Sequence, residues 1–397
     1  MSKTIIIIGA GLAGLSAALQ AAENGCNVKL VSSLASERAQ SVMAEGGINA
    51  ALNTKDENDS PEEHFTDTIK AACGLADPNA VWGMTQAAPE LVHWLLKLGV
   101  KFNMSGYDDV DLRNFGGQKK KRTAFAQSDT GKQIMTAMID AVRRKEASGM
   151  VERFSHHSFL TLRLCGNICC GCVIRDEYSQ ETVELPGDAV IVATGGMHGL
   201  FGNTTGSLSN TGEVTAELFR LGVPLANGEM IQYHPTTVKC GGKRMLISEA
   251  ARGEGGRLFA MKDGKQWYFM EEKYPELGNL MPRDITAREI WKVSHESEVF
   301  LDMTEISDEI ISNKLSGLAD DCMTYLHKDI RKEPVSVLPG IHYFMGGILV
   351  DEQHRTPIQN LYAAGECCAQ YHGANRLGGN SLLGALYGGR VASKSAC

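Results

Sequence analysis

The sequence has no excess of positive charge: 39 lysines and arginines stand against 47 aspartates and glutamates, for a net charge of −8. That balance argues against a nucleic-acid surface, which needs a basic face. There is no haem-attachment motif of the C-x-x-C-H type, no internal repeat, no low-complexity tract and no disordered linker. The 11 cysteines, an odd number scattered over 397 residues, do not form the framework of a disulfide-stapled secreted protein. A reducing cytoplasm is the expected location. An uncharged run at 4–22 follows Lys3 and could be mistaken for a signal peptide or a membrane span. Glycines at 9, 11 and 14 and a second apolar strand at 26–33 point instead to a buried strand, a glycine turn and a buried helix, with no direct membrane span.

What is present is an ordinary globular composition, 43% hydrophobic and 22% charged, in a chain long enough for two domains. The pattern reads strand (4–8), glycine turn, helix (about 12–24) and strand (28–32), a βαβ unit. Helical periodicity recurs at about 62–72, 80–98 and 130–147. A hairpin-like stretch at 158–185 leads to a very apolar strand from Asp188 that ends in Thr194-Gly195-Gly196. From about 231 the texture changes to short strands and loops with a charged surface around 262–289, and near 345 the glycine-rich apolar texture returns. These changes predict an α/β nucleotide-binding domain interrupted by an inserted domain at about 232–340.

Gly9-Ala-Gly11-Leu-Ala-Gly14 follows the first strand and opens the first helix. The first glycine makes the tight turn, the second admits a pyrophosphate close to the backbone, and the third lets helix and strand pack closely. The phosphates then sit at the positive helix N-terminus. The acidic residue expected at the end of the second strand, for the ribose hydroxyls, is replaced by Ser32-Ser33; serine can still hydrogen-bond a hydroxyl.

Further along stand Ser41-Val-Met-Ala-Glu45-Gly46-Gly47, Phe115-Gly-Gly117, Ala193-Thr194-Gly195-Gly196 and Gln232-Tyr-His234-Pro-Thr236. They are followed by Ser248-Glu249-Ala-Ala-Arg252-Gly-Glu-Gly255, Pro282-Arg283-Asp284, His342-Tyr-Phe-Met345-Gly-Gly347, Ala364-Gly-Glu366 and His372-Gly-Ala-Asn-Arg376-Leu-Gly-Gly-Asn380-Ser381-Leu382. Together and in this order, across essentially the whole chain, they resemble the flavoprotein of the fumarate reductase and succinate dehydrogenase family. The resemblance implies a Rossmann-like FAD-binding domain in two parts, 1–231 and 341–397, with an inserted α+β capping domain at 232–340 and substrate held between them. For FAD it points to Gly9, Gly11, Gly14, Ser41, Gly46, Gly47, Thr194, Gly195, Glu366, Ser381 and Leu382. The last two would present a helix N-terminus to the flavin's O2 side.

The implied reaction is reduction of fumarate to succinate. It requires a dianion to be held, an alkene to be polarised for hydride addition from flavin N5, and a carbanion-like centre to be protonated. By the same resemblance His342 and Arg376 hold one carboxylate, His234 and Ser248 hold the other, and Gln232 and Phe115 shape the pocket. The arginine fork suits a carboxylate because it offers two parallel hydrogen bonds. Arg283 matches the family's proton donor, and Glu249 with Arg252 matches its proton relay to solvent.

Other features have plainer readings. Cys165, Cys169, Cys170 and Cys172 crowd together as metal ligands do, but Gly166-Asn167 looks like a hairpin tip, which would send alternate cysteines to opposite faces; no metal is expected. Lys119-Lys-Lys-Arg122 reads as a solvated loop, and Cys367-Cys368 as packing near the flavin.

The chain departs from the membrane-complex members of the family at Gln40, which aligns with the histidine that bears covalently attached FAD. Glutamine cannot form that bond, so noncovalent FAD is expected. The sequence ends soon after Arg390, where those members continue into a helical domain that helps dock an iron–sulfur subunit. An iron–sulfur or other electron donor is the expected partner, beside a small dicarboxylate substrate. L-aspartate oxidase shares most of the motifs but usually has Ala-Ser where Gly378-Gly379 stands. A reductase of another enoate, or an electron-transfer flavoprotein subunit active only in a complex, remains a further alternative.

Overall fold

The apolar segments predicted as strands line up side by side. A computed structural model describes residues 2–107 and 109–397. Its central sheet has the order Leu361–Ala363, Ala189–Val192, Thr4–Ile8, Asn27–Ser32, Val151–Ser155. Every neighbouring pair is parallel, with Ile5 opposite Ala189 and Ile8 opposite Val31. Both faces are covered, which is why these strands are continuously apolar rather than alternating. Ile5, Ile7, Leu30 and Ile191 join one core with the surrounding helices. Ile6, Ile8, Val31 and Val190 join another with the sheet of His157–Cys165, Ile168–Asp176 and Thr182–Pro186.

The glycine turn has little freedom. Gly9 has φ +112°, a conformation L side chains rarely adopt, and a Cβ on Gly14 would lie 1.8 Å from the Gly9 carbonyl oxygen. The helix Leu12–Glu23 therefore packs directly on the turn it follows, against the closing helix Asn380–Ala396.

Segment 232–340 supplies a sheet in which Ile231–Cys240 pairs antiparallel with Lys243–Leu246 and with Leu338–Phe344. It also supplies the sheet of Lys265–Trp267, Arg257–Lys262, Val299–Asp302 and Val335–Ser336, over a core from Ile247 to Val337 that Phe115 also joins. No helix among the described residues is long and apolar enough to cross a membrane.

One local expectation needs correction. Arg122 is not solvated: it is fully buried, with Nη2 2.8 Å from Asp59 Oδ1 and 3.0 Å from Asp67 Oδ2. The lysines before it lie in a loop, and the chain turns inward at Arg122 to begin pairing at Thr123–Ala124. The cysteine hairpin exists and sends alternate cysteines to opposite faces: Cys165 is exposed and Cys170 half-buried on one, while Cys169 and Cys172 are buried on the other. A register shift between Arg163 and Leu164 inserts one extra residue between Cys169 and Cys172, which lets the two share a face.

Candidate active site

A cavity of about 610 Å³ runs from the C-terminal ends of the parallel strands to the inner face of segment 232–340. That is where open parallel sheets place their ligands. One end is built from residues at or just beyond the strand ends: Gly9 and Gly11, Ser32, Thr194 and Gly195, and Glu366. Ser41, Gly46, Gly47, Ser381 and Leu382 complete the wall. Gly14 does not reach the cavity; its part is the close packing on Gly9. Gln40 lies in the short helix Gln40–Met43 and faces the cavity beside Ser41.

The wall suits an extended phosphate-bearing nucleotide. Gly11 caps the helix Leu12–Glu23 and has no side chain to cover its first N–H groups, which face the cavity; that of Leu12 meets Ser41 Oγ at 3.3 Å. Ser32 Oγ is buried with no hydrogen-bond partner, as expected of a hydroxyl placed for a ligand. The helix Asn380–Ala396 begins after Gly379, with Asn380 Oδ1 bonded by Asn49 Nδ2 and His64 at 2.8 Å each, so its N-terminus is held rigidly at the wall.

Phe115, His234, Ser248, Glu249, Arg283, His342 and Arg376 converge on the other end. His234 sits at an irregularity of the strand Ile231–Cys240, before Pro235, which removes a ladder hydrogen bond. The His234 and His342 rings lie 5.0 Å apart, edge to face. Burial above all, and the cations nearby, hold both imidazoles well below their ordinary pKa, so both rings are neutral. Arg376 lies over the ring of Tyr343 at 4.4 Å, and burial, then Arg283, bring its pKa down to about 9. Its Nε is buried without a partner, leaving a donor for an anion.

Two expected residues stand behind the wall rather than in it. Gln232 accepts from Arg283 Nη1 at 3.0 Å and donates to the Arg376 carbonyl at 2.7 Å, so it braces both arginines instead of lining the pocket. Arg252 is buried 3.5 Å from Glu249 Oε1 and donates to the Asn279 carbonyl. Residues to which the sequence reading gave no role also face the cavity. Tyr343 lies under Arg376, and Thr205 Oγ1 is 2.8 Å from His342 Nδ1. Glu45 is half-buried, with Oε2 covered and unpartnered and its pKa pushed up to about 8 by burial and by Asp321. His198 is buried between Glu366 and Thr204. Their importance arises from contacts distant in sequence, and no periodicity signals it. Among the described residues no group of three or more histidine, cysteine, aspartate or glutamate side chains could hold a metal ion.

A parallel sheet with a glycine turn after its central strand and a nucleotide-sized cavity at its C-terminal ends defines a dinucleotide-binding protein. Residues 4–382 match the family described as "FAD binding domain". The chain is 44% identical over 403 residues to the succinate dehydrogenase flavoprotein subunit of Bacillus subtilis, covering 99% of this chain and 69% of that one. It is 34% identical over 406 residues to an L-aspartate oxidase of Streptomyces coelicolor, covering 99% and 68%. A solved structure of an E. coli quinol fumarate reductase FrdA variant superposes with a TM-score of 0.92 at 30% identity, over 100% of this chain and 70% of that one. The chain belongs to the succinate dehydrogenase and fumarate reductase flavoprotein family and is an FAD-dependent oxidoreductase.

Proposed function

We infer that this chain reduces fumarate to succinate, acting on a CH–CH bond. The observation that carries this reading is the convergence of two separate carboxylate-binding sets, His234 with Ser248 and His342 with Arg376, on a cavity end where Arg283 also stands. A dicarboxylate bridging the two sets would present its double bond to the arginine between them. The glycine-lined end, with Ser41, Thr194, Glu366 and the helix start at Ser381 and Leu382, suits FAD, held noncovalently because Gln40 cannot bond it. FAD, when bound, supplies the hydride.

The protein's own work is to bind, orient and protonate. Arg376 offers an unpaired donor to one carboxylate in a buried, low-dielectric site, where a charge-assisted hydrogen bond is strong. Arg283 protonates the developing carbanion, which is far more basic than a guanidine. Glu249 and Arg252 stand behind it and return the proton. Glu249 would tend to a high pKa from burial alone, but Arg283 and Arg252 outweigh this and hold it down to about 2. It is therefore ionised while Arg283 is charged, and it becomes basic enough to take a proton from Arg252 and pass it on once Arg283 has given its own proton up. Segment 232–340 supplies His234, Ser248, Glu249, Arg252 and Arg283, and we assign it the capping role.

The test is an assay of the purified chain with reduced viologen and fumarate. Succinate formation supports the reading. Aspartate-dependent peroxide formation would assign the chain to the oxidase branch, and activity only after addition of a partner would make it an electron-transfer subunit.

A further inference from the structure

We propose that Thr205 is a positioning residue that fixes His342 in the tautomer bearing its hydrogen on Nε2, so that a neutral histidine donates to a substrate carboxylate. The proposal rests on the dicarboxylate reading above.

A neutral imidazole has a single N–H, and its value toward a dianion depends on which nitrogen bears it. His342 lines the cavity, and burial, with His234, Arg283 and Arg376 around it, keeps the ring uncharged. Its Nδ1 lies 2.8 Å from Thr205 Oγ1, and its Nε2 bonds no other residue among those described.

The partners of the Thr205 hydroxyl decide the tautomer. If Nδ1 held the hydrogen and donated it to Oγ1, the hydroxyl proton would have to go elsewhere. The remaining acceptor is the Ile341 carbonyl oxygen, at 3.5 Å, the outer limit of a hydrogen bond. That oxygen already accepts the Thr205 backbone N–H at 2.8 Å and lies 3.2 Å from Thr204 Oγ1. With the roles reversed, the hydroxyl donates to Nδ1 at full strength and no buried donor is left short. Thr205 is nearly covered and edges the cavity, so only a water standing where the substrate binds would make good the difference.

The loop is also held in place. Thr204 Oγ1 accepts from the Gly206 N–H at 3.0 Å and meets His198 Nδ1 at 2.8 Å, and His198 Nε2 meets Glu366 Oε1 at 3.0 Å. A Cβ on Gly206 would lie 2.2 Å from the His198 ring, so only glycine lets loop and histidine approach this closely. The hydroxyl is preset before any substrate arrives, the condition under which a donor costs least to use.

Three measurements on the FAD-loaded protein test this. In the wild type labelled with 15N-histidine, the ring shifts of His342 are expected to show Nε2 protonated and Nδ1 as acceptor; the opposite pattern overturns the proposal without any variant. Thr205→Val is expected to weaken malonate binding, read from the flavin absorbance, by about tenfold, the size of one hydrogen bond. Thr205→Ser is expected to restore both affinity and ring shifts. If Val binds malonate like the wild type and leaves the His342 shifts unmoved, Thr205 does not position the ring. If the wild type binds malonate poorly and does not reduce fumarate, the dicarboxylate reading fails first, and the donor role falls with it.

Discussion

Arg283 directs two nitrogens at one oxygen: Nε lies 2.8 Å and Nη2 2.7 Å from Glu249 Oε2. The other oxygen, Oε1, accepts the backbone N–H of Gly116 at 2.8 Å, and a Cβ on Gly116 would collide with it at 2.7 Å. One buried carboxylate thus ties the helix Arg283–Val293 to the Phe115-Gly-Gly117 turn, and the arginine's third nitrogen is held by Gln232. The group assigned to protonation has no freedom to wander.

Arg283→Ala is therefore expected to reduce turnover by about 10²–10⁴-fold, the usual worth of a positioned acid. Bound FAD should stay near wild-type content, because Arg283 is at the substrate end of the cavity. Steady-state rates and flavin absorbance per chain check both. A variant with near-normal turnover and only a raised KM would assign Arg283 to binding and remove it from proton transfer.

Arg376→Ala should act on binding. The residue is fully buried, and a substrate carboxylate left beside the truncated site would be desolvated and unpaired. The expected loss of dicarboxylate affinity is about 2–5 kcal/mol. Titration with malonate measures it directly, and an unchanged affinity would remove Arg376 from the clamp.

Glu45 predicts a pH effect on stability. Burial, with Asp321 and Asp129 nearby, raises its pKa from 4.5 to about 8, and Arg113 offsets only part of this. The folded state thus keeps a proton that the unfolded state gives up near pH 4.5. Its stabilising contribution is full below pH 4.5 and is lost as pH rises toward 8. Glu45→Gln, which cannot ionise, should flatten that part of the Tm-against-pH curve and raise Tm most at pH 8. A wild-type and variant pair with parallel curves would show that Glu45 is ionised in the fold.

Much of the fold and site was legible in the sequence, and the exceptions share a cause. The strands Thr4–Ile8 and Ala189–Val192 were visible because both faces of a parallel sheet are buried, which leaves uninterrupted apolar runs. The glycine spacing at 9, 11 and 14 located the turn, since backbone crowding forbids most other residues there. The cavity residues come from segments far apart in the chain, and an ordered set of motifs, not periodicity, assembled them. Thr205 was invisible because its partner His342 is 137 residues away, and His198 because Glu366 is 168 away. Arg122 was misread because a run of cations looks solvated until Asp59, 63 residues earlier, is seen beside it.

Gln40 makes the flavin linkage testable. It faces the cavity beside Ser41, at the position that the sequence resemblance assigns to the flavin-bearing histidine of the membrane-complex members. A carboxamide forms no such bond, so acid precipitation should release all FAD into the supernatant. Flavin fluorescence that stays with the precipitated polypeptide would contradict this.

Gln40 also bears on the direction of turnover. A histidyl link raises the flavin's potential in this family and so favours acceptance of electrons from succinate. With Gln40 in place of that histidine, the reduced cofactor should be the stronger donor. Substrate recognition does not oppose this, because the carboxylate assigned to Arg376 and His342 in the proposed reading is one that fumarate and succinate share. The balance then falls to the flavin couple, where about 30 mV corresponds to 1.4 kcal/mol, a tenfold change in equilibrium for two electrons. The helix start at Ser381 and Leu382 works in the opposite sense, since its partial positive charge steadies a reduced, anionic ring and raises the potential. That effect is of the order of 0.3–1 kcal/mol for a helix terminus near the surface, and up to about 2 in partly buried geometries. Set against the lost linkage, it shifts the balance by about fivefold or less for an exposed terminus and by about thirtyfold at the upper limit. Fumarate reduction with artificial carriers should therefore be the faster direction. The flavin midpoint potential and both rates, measured on one preparation, decide it: a midpoint above that of the fumarate/succinate couple, with succinate oxidation faster, would overturn the assignment of direction while leaving the site intact.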